Sequence, residues 1–172
     1  MAPVRRSVRR PGASARRELV PRSRAVGLTR LAAEFLGAAD AAARTAQAPN
    51  KVALYLYGHT LELMIKAVLV CAGSDEPRLR RLGHDLSAAF RVARRQPGAI
   101  TIPVTPLDYA LIGRLSPYYD AKDLEYVATG FRSYPLPADL RELCHRLMDQ
   151  LGPAIRGSVR RWLRARRSRQ SA

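Results

Sequence analysis

The stretch KVALYLYGHTLELMIKAVLVCAG, residues 51–73, is almost wholly apolar yet carries a histidine, a glutamate and a lysine. Wound as a helix at about 100° per residue, it places Tyr55, His59, Glu62 and Lys66 within an arc of roughly 60°. The rest of its circumference is Val52, Leu54, Leu56, Leu61, Leu63, Met64, Ile65, Val68, Leu69 and Val70, with Tyr57 and Thr60 as mild interruptions. A helix that is apolar nearly all round is buried. Its single polar line must then face water, a partner, or polar groups from neighbouring helices. The length would also suit a membrane span, but Glu62 and Lys66 lie near the middle, and each central charge costs about 2.5–3.5 kcal/mol on insertion. The segment therefore reads as the central helix of a soluble bundle, with no membrane partner.

The 172 residues suffice for one domain with a real core. Cys71 and Cys144 both fall in helical patterns, which fits buried thiols in a reducing compartment rather than a disulfide scaffold. The N-terminus is basic but lacks a following apolar segment, so no secretory signal is expected and a cytoplasmic location is. The Arg-rich, acid-poor start also has the composition of an organellar transit peptide.

The net charge of +16 is concentrated at the two ends. Residues 1–24 hold eight arginines and one acid, and residues 156–172 hold seven arginines and no acid. Residues 25–155 are close to neutral, with 15 basic and 13 acidic side chains. Arginine-rich ends bind phosphate backbones whatever the fold between them does. The charge is thus a weak guide to the function of the core.

Along the chain, residues 1–25 read as a disordered basic tail. Helical spacing of Leu31, Ala32, Phe35, Leu36, Ala39, Ala42, Ala43 and Ala46 predicts a helix over 29–46, broken at Pro49. The central helix follows and stops at Gly73. SDEPRLRRL, residues 74–82, reads as a charged connection. Asp85 caps a third helix ending at Pro97-Gly98. Thr105, Pro106 and Asp108 open a fourth with a capping-box pattern, running to about Leu115 before Ser116-Pro117. Residues 117–136 show no period and hold four tyrosines, which suits an ordered loop. A last helix from about Ala138 carries Leu140, Leu143, Cys144, Leu147, Met148 and Leu151 on one face, with a kink expected at Gly152-Pro153. Ile155, Val159, Trp162 and Leu163 extend it into the basic end. The sum is an all-α, single bundle of about five helices: a tail over 1–25, a helical domain over 26–155, and a basic extension over 156–172, helical at least in part.

LYGHTLELMIKAVLVCAG, then a charged connection and GHDL at residues 83–86, resembles the HEPN superfamily of helical domains, in which an "E…KA" helix precedes a "GHDL" helix start. The likeness spans roughly residues 28–151 and is sharpest between 54 and 95. It implies a bundle of about four or five helices that usually dimerises. Family members include metal-independent endoribonucleases of toxin–antitoxin and phage-defence systems, and non-catalytic domains that bind nucleotides, RNA or proteins. The nucleases carry Arg-x(4–6)-His near the last helices, with a polar residue from an earlier helix. Here the last helix offers Arg141-x(3)-His145, one residue short, while Arg78-x(5)-His84 has the spacing but precedes the third helix.

Two readings follow. The first is a non-catalytic or regulatory module, dimeric as the resemblance implies, that binds RNA, a nucleotide or a protein partner such as a cognate antitoxin. Its surface would be a polar cleft formed by Tyr55, His59, Glu62, Lys66, His84 and Asp85. The second is a metal-independent endoribonuclease with Arg141 and His145 as its irregular catalytic pair, a cation and a base suited to a phosphorane transition state. Each residue also has a plainer account. Glu62–Lys66 suits a helical i,i+4 ion pair, Asp85 a cap with His84 beside it, and Arg141–His145 a solvated pair. The interleaving of Tyr118, Tyr119, Lys122 and Tyr126 suits either RNA stacking or a packed loop. Cysteine and histidine spacing supports no metal site, and no glycine-rich phosphate loop or other cofactor motif is present.

Overall fold

A computed structural model describes residues 13–45, 50–126 and 131–170. Among these the chain forms six helices and no strands: α1 (Ala13–Thr45), α2 (Lys51–Cys71), α3 (Glu76–Arg81), α4 (Leu86–Arg95), α5 (Pro106–Asp120) and α6 (Pro137–Gln170). The all-α bundle is as the sequence predicts. α2 is its axis, packed by α1 and α6 and, on another side, by α4 and α5. By length and composition α2 could cross a bilayer, but 15 of its 21 residues are buried inside the fold. Its apolar circumference is used up by other helices.

Both ends of α2 are locally encoded. The Asn50 side chain accepts from Ala53 N at 3.0 Å and donates through Nδ2 to Ala42 O at 2.7 Å, so one residue caps α2 and ties it back to α1. At the far end Gly73 has φ +91°. Gly73 N donates to Val70 O and Ser74 N to Leu69 O at 2.9 Å, a Schellman closure that needs the left-handed glycine. Asn50→Ala removes both side-chain bonds and should cost about 1–2 kcal/mol, read as a lowered urea midpoint with an unchanged slope.

The structure differs from the sequence reading at several boundaries. α1 begins at Ala13, not near Thr29, and Ala25 is fully buried. The stretch expected as a tail over 1–25 thus overlaps α1 from Ala13, and residues 1–12 lie outside the described set. The predicted connection 74–82 contains α3, because Asp75 caps it by accepting from Arg78 N at 3.0 Å and Pro77 suits a first turn. This makes six helices where about five were expected.

α5 passes through Ser116-Pro117 to Asp120. Tertiary anchoring overrides the proline. Ser116 Oγ donates to Asp85 Oδ1 at 3.0 Å and accepts from Ser87 N at 3.1 Å, and the Tyr119 ring is buried against α2. Likewise α6 runs unbroken through Pro153 to Gln170, with Ile155 and Val159 buried. The expected division at 155/156 falls inside one helix. α1 and α6 run antiparallel: Asp40 meets Arg141 and His145 at one end, and Arg22 lies over the Trp162 ring at the other.

Candidate functional site

Two polar clusters stand out against this core. The first is the line predicted on α2. Glu62 is only 4% exposed, and its carboxylate gathers groups from three places. Lys66 donates to Oε1, Tyr119 Oη donates to Oε2 at 2.6 Å, and His84 Nδ1 lies 3.0 Å from Oε2. His59 Nδ1 is 3.6 Å from the carboxylate but 2.8 Å from Tyr119 Oη. The tyrosine proton goes to Glu62, so His59 must donate to the tyrosine, and His84 facing a carboxylate must also carry its proton on Nδ1.

Burial alone would push the Glu62 carboxyl up, but hydrogen bonds from His59, Lys66, Tyr119 and His84 reverse this and hold it far below the usual carboxylate range. The opposite holds for Tyr119, which burial and the adjacent Glu62 charge push well up. Lys66 also donates to Gly83 O at 3.2 Å, and the Tyr55 ring stacks on His59 at 6.1 Å between centroids. Five of the six residues predicted for a cleft, Tyr55, His59, Glu62, Lys66 and His84, are thus brought together. They close around a buried anion, with His84 the most exposed member at 48%. Asp85 is adjacent in sequence but engaged elsewhere: it caps α4, accepting from Ala88 N at 2.9 Å and from Ser116. Tyr119 is the member that sequence reasoning assigned to a loop.

The second cluster joins α1, α2 and α6. Asp40, whose side chain is 14% exposed, faces both residues singled out on the last helix. His145 Nε2 lies 2.8 Å from Oδ2, and Arg141 Nε donates to Oδ1 at 3.1 Å. Tyr57 Oη donates to the same Oδ1 at 2.9 Å. Burial raises the Asp40 carboxyl, yet the bonds from His145 and Tyr57 and the Arg141 charge leave it below its ordinary value. Burial and Asp40 push the Tyr57 phenol strongly up, so it stays a donor.

Arg141 and His145, both still substantially exposed, are joined through Asp40 rather than standing as a pair on their own. They are two arms held by one carboxylate from α1. His145 faces Asp40 through Nε2, and in the ring tautomer that donates this proton to the carboxylate the Nδ1 lone pair can act as a base. Arg141 uses Nε on Asp40, which leaves both terminal nitrogens for a phosphate. Arg141 and His145 line an open groove of about 560 Å³ with Glu142, Arg146 and Asp149.

Asp40 and Tyr57 escaped the sequence reading. A lone acid in an alanine-rich helix has no local signature, although the expectation of a polar residue from an earlier helix pointed to the kind of group to seek. Among the described residues no set of three His, Cys, Asp or Glu side chains is arranged to hold a metal ion. Arg78 lies in α3, where no described contact joins it to His84. Both cysteines are buried free thiols, and burial pushes each thiol's pKa up. No known protein family, curated protein or solved structure matches the chain.

Proposed function

We propose that this chain is a HEPN-like helical module that engages RNA at the α1–α6 face around Asp40, Arg141 and His145. The observation that supports this reading most is the single carboxylate, Asp40, orienting a guanidinium and an imidazole toward one open groove. A guanidinium with two free terminal nitrogens is a phosphate ligand, and the arrangement is preorganised because Asp40 fixes both side chains before any strand arrives. The Glu62 cluster serves the fold in this reading. Its carboxylate is already saturated, so a ligand there would have to displace internal partners.

A second reading, cleavage of the bound strand without a metal, is favoured by the His145 tautomer that donates to Asp40. His145 Nδ1 is free to take the proton of a ribose 2′-hydroxyl as its oxygen attacks the adjacent phosphorus. Arg141 would neutralise the developing phosphorane. The bond from phosphorus to the 5′-oxygen breaks and that oxygen takes a proton from water, giving a 2′,3′-cyclic phosphate and a 5′-hydroxyl end.

One experiment tests both: labelled RNA with the full chain in EDTA, beside Asp40→Asn and Arg141→Ala/His145→Ala. Trimming the basic ends is unsuitable, since α1 and α6 extend into them. Binding weakened about tenfold, or about 1.4 kcal/mol, in the double variant supports engagement at this face. Cleavage present in the wild type and lost in both variants adds the catalytic reading. RNA bound equally well by all three proteins rejects the site.

A further inference from the structure

We propose that the bound RNA is a single strand lying along the α1–α6 groove, led in over the arginine-rich end of α6 and running to the Asp40 cluster. This rests on the reading that the cluster engages RNA. The groove beside Arg141 and His145 does not stop there. That groove is lined by α6 alone, and a second of about 440 Å³ adjoins it at the shared Asp149 and lies between α1 and α6, lined by Arg30, Ala33, Pro153 and Arg156. Its α1 wall is low, because Ala33 and Gly37 are exposed and nothing lies within 4 Å of where a Gly37 Cβ would stand. On α6, Gly152 seats the Arg156 guanidinium, whose Nη1 would be 3.4 Å from a Cβ there.

Charge rises steadily along this path. Residues 137–155 carry two arginines against three acids, whereas residues 156–170 carry seven arginines and no acid, all of them helical. A polyanion is therefore drawn to the far end of α6 and meets a nearly balanced, geometrically defined site at the other. At about 100° per residue, His145, Arg156 and Arg160 fall within about 100° of Arg141 on one side. Arg161 and Arg169, by contrast, lie about 200° and 280° round. The trough between two packed helices is open to one extended backbone, and the arginine row along it suits the electrostatic tracking of a single strand.

The test compares two double variants of the full chain, Arg156→Gln/Arg160→Gln and Arg161→Gln/Arg169→Gln. Each removes two exposed charges from the same helix, and circular dichroism verifies that both fold. Binding of a fluorescent single-stranded 12-mer RNA and of its duplex is followed by anisotropy over a salt series. The first variant should weaken single-strand binding at least fivefold more than the second. It should also lower the slope of log K against log salt by about 1.4, two contacts at about 0.7 each. Equal losses in the two variants overturn the track in favour of non-specific charge, as does a duplex bound as tightly as the single strand. If the face difference persists while Arg141→Ala/His145→Ala binds normally, the track stands and the cluster's role falls.

Discussion

Glu62→Gln should lower the stability of this protein by about 3 kcal/mol, the largest effect expected of a conservative change. The substitution keeps the shape and one acceptor but removes the charge that Lys66, Tyr119 and His84 all face. Breaking a buried pair by removing one partner costs about 3–5 kcal/mol, because the other charge is left without its counterion. The lower end applies here, since Lys66 and His84 are partly exposed and recover some hydration.

The same carboxylate sets a pH dependence. Its folded pKa is depressed below the ordinary 4.5, so its stabilisation is fully present above about that pH and is lost as pH falls toward the folded value. Urea midpoints of the wild type should therefore fall below pH 4.5 more steeply than those of Glu62→Gln. Superimposable midpoints at neutral pH would show that the network contributes nothing net.

Gly58→Ala should destabilise by about 2–4 kcal/mol, although alanine is the better helix former. The Cβ would stand 2.7 Å from Tyr119 Cδ2 and 3.0 Å from Cε2. The ring cannot give way freely, because Tyr119 is 3% exposed and its hydroxyl is held between Glu62 and His59. Moving it pairs an overpacking cost of about 1–3 kcal/mol with a weakened charge-assisted hydrogen bond of about 1.5–3 kcal/mol. The helix-propensity gain of at most about 1 kcal/mol offsets only part. Thermal unfolding of Gly58→Ala beside Gly58→Ala/Tyr119→Leu separates the terms. The double variant should recover part of the loss if the ring contact is its source, and no part of it if helix packing elsewhere is.

What was legible in the sequence is what is encoded locally. The burial of α2 follows from its apolar circumference, and the convergence of Tyr55, His59, Glu62 and Lys66 from helical spacing alone. The caps at Asp85 and Thr105 follow from short-range chemistry: Thr105 and Asp108 exchange side-chain and backbone bonds within one turn. Long-range contacts were not legible. Proline punctuation at Pro117 was outvoted by Ser116 and Tyr119, whose partners lie on α4 and α2. Asp40 could be joined to Arg141 and His145 only by knowing how α1 lies against α6. The arginine-rich ends read as tails by composition, yet buried Ala25 and Val159 show that apolar residues within or beside them pack on the core.

The separation of 105 residues between Asp40 and His145 also has a consequence during synthesis. α1 and α2 are adjacent in sequence and can pair while the remainder is still being translated, but α6 leaves the ribosome after the other described helices. The cluster around Asp40 is absent from every shorter nascent chain. Under the proposed reading, the site cannot engage a strand until α6 has emerged and folded back on α1.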